Sequence, residues 1–197
     1  GNMVRETNPE GLHTYYEYDG LGRTLRTVYP DSTETVVTYA WASGPESVLT
    51  EITTTHTGKP TEKLFQDALG REVRKGAQRF DGHYLFTDKV YNQHGLLEKE
   101  SLPFRSQSPS AWNQMTYDFH DRLVRTDYAS GRTDVYDYGQ NTVTETKKGI
   151  TVSKTFDAVG RVIRVSDMAG DIQYTLRPDG QPESITAPGN ITTTFTY

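Results

Sequence analysis

One phrase recurs through these 197 residues and restricts the fold more than any other feature. It reads aromatic, Asp, two variable residues, Gly, Arg, then strand-forming residues. Clear copies are Tyr18-Asp19-Gly20-Leu21-Gly22-Arg23 and Phe156-Asp157-Ala158-Val159-Gly160-Arg161. A third, Asp67-Ala68-Leu69-Gly70-Arg71, follows Phe65 with Gln66 inserted between aromatic and Asp. Two copies are looser. Tyr91-Asn92-Gln93-His94-Gly95 has Leu96 in place of Arg, and Tyr117-Asp118-Phe119-His120-Asp121-Arg122 has Asp121 in place of Gly.

Asp, two free residues, then Gly is the signature of a type I turn. The Asp side chain bonds backbone two residues on, and Gly tolerates positive φ. Aromatic and β-branched flanks are strand material. Each phrase therefore predicts one hairpin corner, and a repeated corner stacks hairpins side by side. The motif positions Gly22, Gly70, Gly95, Asp121, Gly160 and Gly180 are spaced by 48, 25, 26, 39 and 20 residues. The unit is thus near 20–26 residues, and the longer gaps hold insertions or degenerate copies. Nothing shows sustained 3.6-residue periodicity, so the expected fold is all-β: a long curved antiparallel sheet of stacked hairpins.

Along the chain, Gly1-Asn2-Met3 reads as a tag remnant, and residues 1–12 as a leading segment. Residues 13–102 are the first part of the repeat sheet. Turns are expected at Pro30-Asp31-Ser32, Thr57-Gly58 and Phe80-Asp81-Gly82. Another break is expected at Ala42-Ser43-Gly44-Pro45, with a strand from Ser47 to His56. Residues 103–113, rich in Pro and Ser, read as a loop or crossover. Residues 114–197 resume the sheet, and the two parts are expected to form one continuous repeat domain.

Composition narrows the class of function. Apolar residues are 34% of the chain, which suits a sheet with one wet face better than a layered core. Net charge is −5 with Lys and Arg dispersed, so no basic stripe points to nucleic acid. No window approaches the roughly 20 apolar residues of a membrane helix. Cysteine is absent, which removes disulfides and thiolate metal sites.

The aromatic-Asp-x-x-Gly-Arg units resemble the Rhs/YD repeats of bacterial Rhs proteins, toxin-complex shell components and teneurins. Tyr18-Asp19 with Gly22-Arg23, Asp67 with Gly70-Arg71, Tyr117-Asp118 with Arg122, and Phe156-Asp157 with Gly160-Arg161 carry the resemblance, which covers most of the chain. It implies an open segment of an Rhs-type β-shell from a secreted or cell-surface bacterial protein. In such proteins the shell encloses a C-terminal polypeptide, often a toxin. The family's self-cleavage motif contains Asp-Pro, and this chain has no Asp-Pro pair. The implied partners are neighbouring repeats and the C-terminal region of the parent chain.

The site reading follows. Catalytic and metal-ligating residues are none, and no cofactor is implied. His13, His56, His83, His94 and His120 lack zinc-site spacing. Each motif Asp is expected to cap its turn, and each Arg to lie over a neighbouring strand against an acidic or aromatic side chain. Tyr16, Tyr39, Trp41, Tyr136 and Tyr138 are candidate ligand-stacking aromatics for carbohydrate. The alternative for them is cross-strand aromatic pairing. Unpaired sheet edges predict edge-to-edge self-association.

Overall fold

The computed structural model describes residues 4–42, 48–105 and 108–197. Every regular element among them is a β-strand. The chain divides into two compact units, residues 1–112 and 113–197.

The first unit is a meander of nine strands. They are β1 (Arg5–Thr7), β2 (His13–Tyr18), β3 (Thr24–Val28), β4 (Glu34–Trp41), β5 (Thr50–His56), β6 (Lys59–Gln66), β7 (Glu72–Gln78), β8 (Tyr84–Tyr91) and β9 (Leu97–Ser101). Each pairs antiparallel with the next. The second unit repeats the plan with β10 (Trp112–Tyr117), β11 (Leu123–Asp127), β12 (Thr133–Tyr138), β13 (Thr142–Lys147), β14 (Ile150–Phe156), β15 (Val162–Asp167), β16 (Gly170–Leu176), β17 (Pro182–Ala187) and β18 (Ile191–Thr194). These too pair antiparallel in sequence order.

Register sorts the residues onto two faces, because side chains alternate along a strand. In the second unit one row runs Val143, Lys154, Val165, Ile172 across β13 to β16. The opposite face carries Thr144, Ser153, Ser166 and Asp171. There the hydroxyls bond to one another, as in Thr144 with Ser153 at 3.1 Å. In the first unit the row Tyr39, Ile52, Leu64, Lys75, Thr87 lies on one face, and Thr38, Thr53, Lys63, Gly76, Phe86 on the other. No described side chain is fully buried, and Phe104 at 8% exposure is the only hydrophobic residue counted as buried.

What passes for a core is an aromatic cluster in the first unit. Phe86 lies 6.3 Å from Phe65, 5.7 Å from Tyr84 and 6.1 Å from Phe104. Phe104 is fixed by a two-way backbone bridge to Phe86, each bond 2.9 Å. The Arg74 guanidinium sits 5.4 Å from the Phe86 ring and 5.3 Å from that of Phe104. It donates two hydrogen bonds of 2.6 and 2.7 Å to Asp88. Gly76 faces Phe86 across the ladder, and a Cβ there would meet the ring at 2.5 Å. The missing side chain leaves room for the ring to lie over β7.

Several expectations change. The leading segment 1–12 holds β1 and a turn at residues 8–12, so residues 5–12 belong to the sheet. The 103–113 loop is shorter than predicted, because Phe104 bridges to β8 and β10 already begins at Trp112. Its residues 106–107 lie outside the described set, as do residues 1–3 and residues 43–47 of the expected break and strand start. Gln66 is not an insertion. The register shifts between Phe65 and Gln66 as it does between Glu17 and Tyr18, so Gln66 holds the aromatic's place. Phe65 thereby points to the face where Phe86 lies.

Gly76→Val is expected to destabilise the fold by about 1–3 kcal/mol, as overpacking does. A thermal melt checks this, and an unchanged melting temperature would show that the Phe86 ring is not held over β7.

Candidate functional site

The recurring corners are the most elaborate side-chain constructions in the protein. At Asp19 the backbone closes with Gly22 N–H donating to the Asp19 carbonyl at 3.0 Å, and Asp19 N–H donating to the Arg23 carbonyl at 2.9 Å. The carboxylate then accepts three further bonds. Oδ1 takes the amides of Leu21 and Arg23, each at 2.9 Å. Oδ2 takes Nε of Arg23 at 2.6 Å. The same three bonds recur at Asp67 with Arg71, Asp118 with Arg122, and Asp157 with Arg161. Asn92 makes the two amide bonds, to His94 and Leu96.

Corner glycines sit in the left-handed region: Gly22 at φ 81°, Gly70 at 75°, Gly95 at 80° and Gly160 at 83°. Asp121 takes the same conformation at 62°, one of the few non-glycine residues to do so. A two-for-one register shift precedes each corner, as between Thr155 and Phe156. Type I turn plus left-handed residue plus bulge is the standard way to close a longer hairpin.

Burial pushes the carboxyls of Asp19, Asp67 and Asp118 up, but the bonds and charge of Arg23, Arg71 and Arg122 outweigh it and hold each below its ordinary value. The Arg161 amide is the largest influence on Asp157, which is also lowered.

Each corner Arg also reaches the neighbouring hairpin: Arg71 and Arg122 meet the ring that opens the next corner on their rim, and Arg23 meets a ring within β4. Arg23 lies 4.0 Å over the Tyr39 ring, Arg71 4.5 Å over Tyr91, and Arg122 4.4 Å over Tyr138. The rings answer. Tyr91 Oη donates to the Glu72 carbonyl at 2.9 Å, and Tyr138 Oη to the Leu123 carbonyl at 3.0 Å. These carbonyls belong to the residues just after Arg71 and Arg122. Arg161 instead donates to the Arg177 carbonyl at 3.0 Å, in the turn two strands on. Arg71, Arg122 and Arg161 thus each tie their own corner to the following one on the rim.

Sequence reading missed one corner. Asn8-Pro9-Glu10-Gly11 closes in the same way, with Asn8 Oδ1 accepting the amides of Glu10 and Leu12. Its signal was present: Asn, then Pro, then Gly at the positions a type I turn prefers. The lack of an aromatic before it and an Arg after it hid the match.

The candidate aromatics do not form a free platform. Tyr39 and Tyr138 lie under arginines, and Tyr136 lies 5.0 Å under the Lys147 ammonium. Tyr16 stacks on Tyr18 in its own strand at 6.4 Å and donates to Glu6 at 2.8 Å. Trp41 is 80% exposed. Cation–π contact, rather than pairing of directly opposed rings, is the commoner arrangement of these side chains. Arginine fits it because its planar, weakly hydrated head stacks on rings.

No protein-family model matches the chain, and no curated protein does. Solved structures do match. The crystal structure of TcdB2-TccC3 superposes with a TM-score of 0.56 at 11% identity, over 94% of this chain and 15% of that one. The same pair without its hypervariable C-terminal region gives 0.37 at 12% identity, over 95% and 13%. The Tc holotoxin pore of Photorhabdus luminescens gives 0.37 at 14% identity, over 95% and 13%. The chain therefore spans about 15% of the TcdB2-TccC3 chain it matches. At these identities the likeness establishes the fold, and it does so through the first superposition. The fold shared with part of that structure is an all-β antiparallel sheet.

Two outcomes are expected of the corners. Gly160→Val should cost about 1–3 kcal/mol by backbone strain alone, because open space surrounds the position where its Cβ would go. Asp121→Gly should raise the melting temperature, since it relieves the same strain. Acid should weaken the corners. Their folded pKa values are depressed, so the stabilisation is complete above the unfolded value and lost as pH falls through the folded one. Melting temperature should therefore hold between pH 7 and about 5 and fall below about pH 4. A melt series in Asp157→Asn should show a shallower acid limb.

Proposed function

We propose that the chain is a non-catalytic structural repeat module, a segment of a larger secreted or cell-surface bacterial protein. Its sheet would form part of a wall that encloses or presents a C-terminal polypeptide. In proteins with this motif that polypeptide is often a toxin. One observation carries the reading. The charged groups that recur with the repeat are spent within the protein: each Asp on its own Arg, each Arg on its Asp and on a ring or carbonyl of the neighbouring hairpin. Such groups build a lattice and leave no charge poised for a substrate.

The partners follow from the edges. β18 is exposed along its length and is followed by Phe195-Thr196-Tyr197, with Phe195 N–H donating to the Glu183 carbonyl at 3.0 Å. Antiparallel alternation then turns the amides of Thr192 and Thr194 away from β17. The strand has none of the charges or prolines that blunt edges. It suits pairing with a neighbouring repeat of the parent chain or, in isolation, with a second copy. The runner-up reading, a carbohydrate platform on a sheet face, gains no support from the five candidate rings, most of which are occupied by protein groups.

Electron microscopy of the longer protein tests the wall: the sheet should run on past β18 into further paired strands. Helical or unpaired neighbours there would overturn it. For the isolated chain, light scattering should show self-association that Thr194→Pro reduces, since Pro removes an outward amide and spares the β17 ladder. A strict monomer at all concentrations would remove the self-association.

A further inference from the structure

The corner row of the second unit is interrupted once. Between the full corners at Asp118 and Asp157 stands the short turn Gly139-Gln140-Asn141, closed by Gly139 N–H donating to the Thr142 carbonyl at 2.9 Å. It lacks the Asp-x-x-Gly extension, and a cleft of about 680 Å³ opens above it. That volume lies within the range of small-ligand sites, roughly 300–1,000 Å³. Arg122, Tyr138, Gln140, Asn141, Phe156 and Asp157 line it.

We propose that this notch binds a neutral saccharide. The lining dictates the class. Both flanking charges are already compensated, Arg122 by Asp118 at 2.7 Å and Asp157 by Arg161 at 2.7 Å. A phosphate or a cation would have to compete with those pairs, whereas a neutral ligand need not. The exposed groups between them are the side chains of Gln140 and Asn141, the latter with one amide hydrogen in a long bond of 3.5 Å to the Phe156 carbonyl and its oxygen and second hydrogen left for a ligand. A primary amide offers two donors and one acceptor in a plane, which matches vicinal sugar hydroxyls. Phe156 contributes an aromatic surface for the apolar face of a pyranose. The Asn141 backbone is braced by Phe156 N–H donating to its carbonyl at 2.8 Å, so the amides and the ring are held on one frame. The inference is independent of the wall reading, and differs from a sheet-face platform in placing the site on the rim.

Calorimetric titration of the 197-residue chain against cellohexaose, chitohexaose, mannohexaose, sialyllactose and a heparin hexasaccharide tests it. At least one neutral oligomer should saturate, and the two anionic sugars should not compete. Gln140→Ala with Asn141→Ala should weaken binding about 10-fold or more, the scale of one or two lost hydrogen bonds, with far-UV circular dichroism unchanged. Ala158→Trp, at an exposed lining position, should abolish binding by filling the notch. The proposal falls if no neutral oligomer binds, if only the anionic sugars bind, or if both variants bind as the parent chain does. None of these results bears on whether the sheet continues in the longer protein.

Discussion

The corner carboxylate is the constraint on which everything else rests. A hairpin reversal leaves backbone amides pointing into the turn without partners, and Asp supplies an acceptor for two of them while its second oxygen anchors an arginine. The anchored guanidinium is then aimed at the following corner, where it meets a ring or a carbonyl. Local turn chemistry and long-range order are therefore one interaction. Remove the carboxylate and the turn loses its cap, the arginine its anchor, and the next corner its lid.

That arrangement compensates for a sheet with almost no interior. Ordinary domains bury apolar faces between layers. Here rows of Val, Ile and Tyr are only half covered by their neighbours across the strands, and large side chains such as Leu21, Leu69, Phe119 and Val159 stand exposed on the corner tips. The Phe86 cluster is the nearest thing to a core, and it exists because Gly76 yields space to a ring. Elsewhere cation–π contacts and hydroxyl pairs hold adjacent strands in register.

The all-β class, the antiparallel order and the identity of the main corners were legible because the turn signature is local: four residues fix φ, capping and strand direction together. Legibility failed where meaning depended on register. Gln66 looked like an insertion because spacing from Phe65 was counted along the chain rather than across the ladder. Asn8 was overlooked for want of flanks that its turn does not need. The motif arginines were expected over a neighbouring strand against an acidic or aromatic side chain, but which rings they cover depends on the ladder and was not legible. The buried Asp134, which takes the Tyr128 hydroxyl at 3.0 Å, carries no sequence signal at all. The cleft at residues 139–141 showed only as an unusually long gap between motifs.

Strand parity has an evolutionary consequence. The corners that carry the Asp–Arg pair fall between β2 and β3, β6 and β7, β10 and β11, and β14 and β15, so within a unit they are an even number of strands apart and lie along one rim, and each arginine needs its receiver further along that rim. Growth or loss of the sheet by single strands would send the next corner to the opposite side, beyond any guanidinium's reach. Duplication and deletion in this lineage should therefore proceed by whole hairpins, which makes the pair of strands, rather than the strand, the heritable building block.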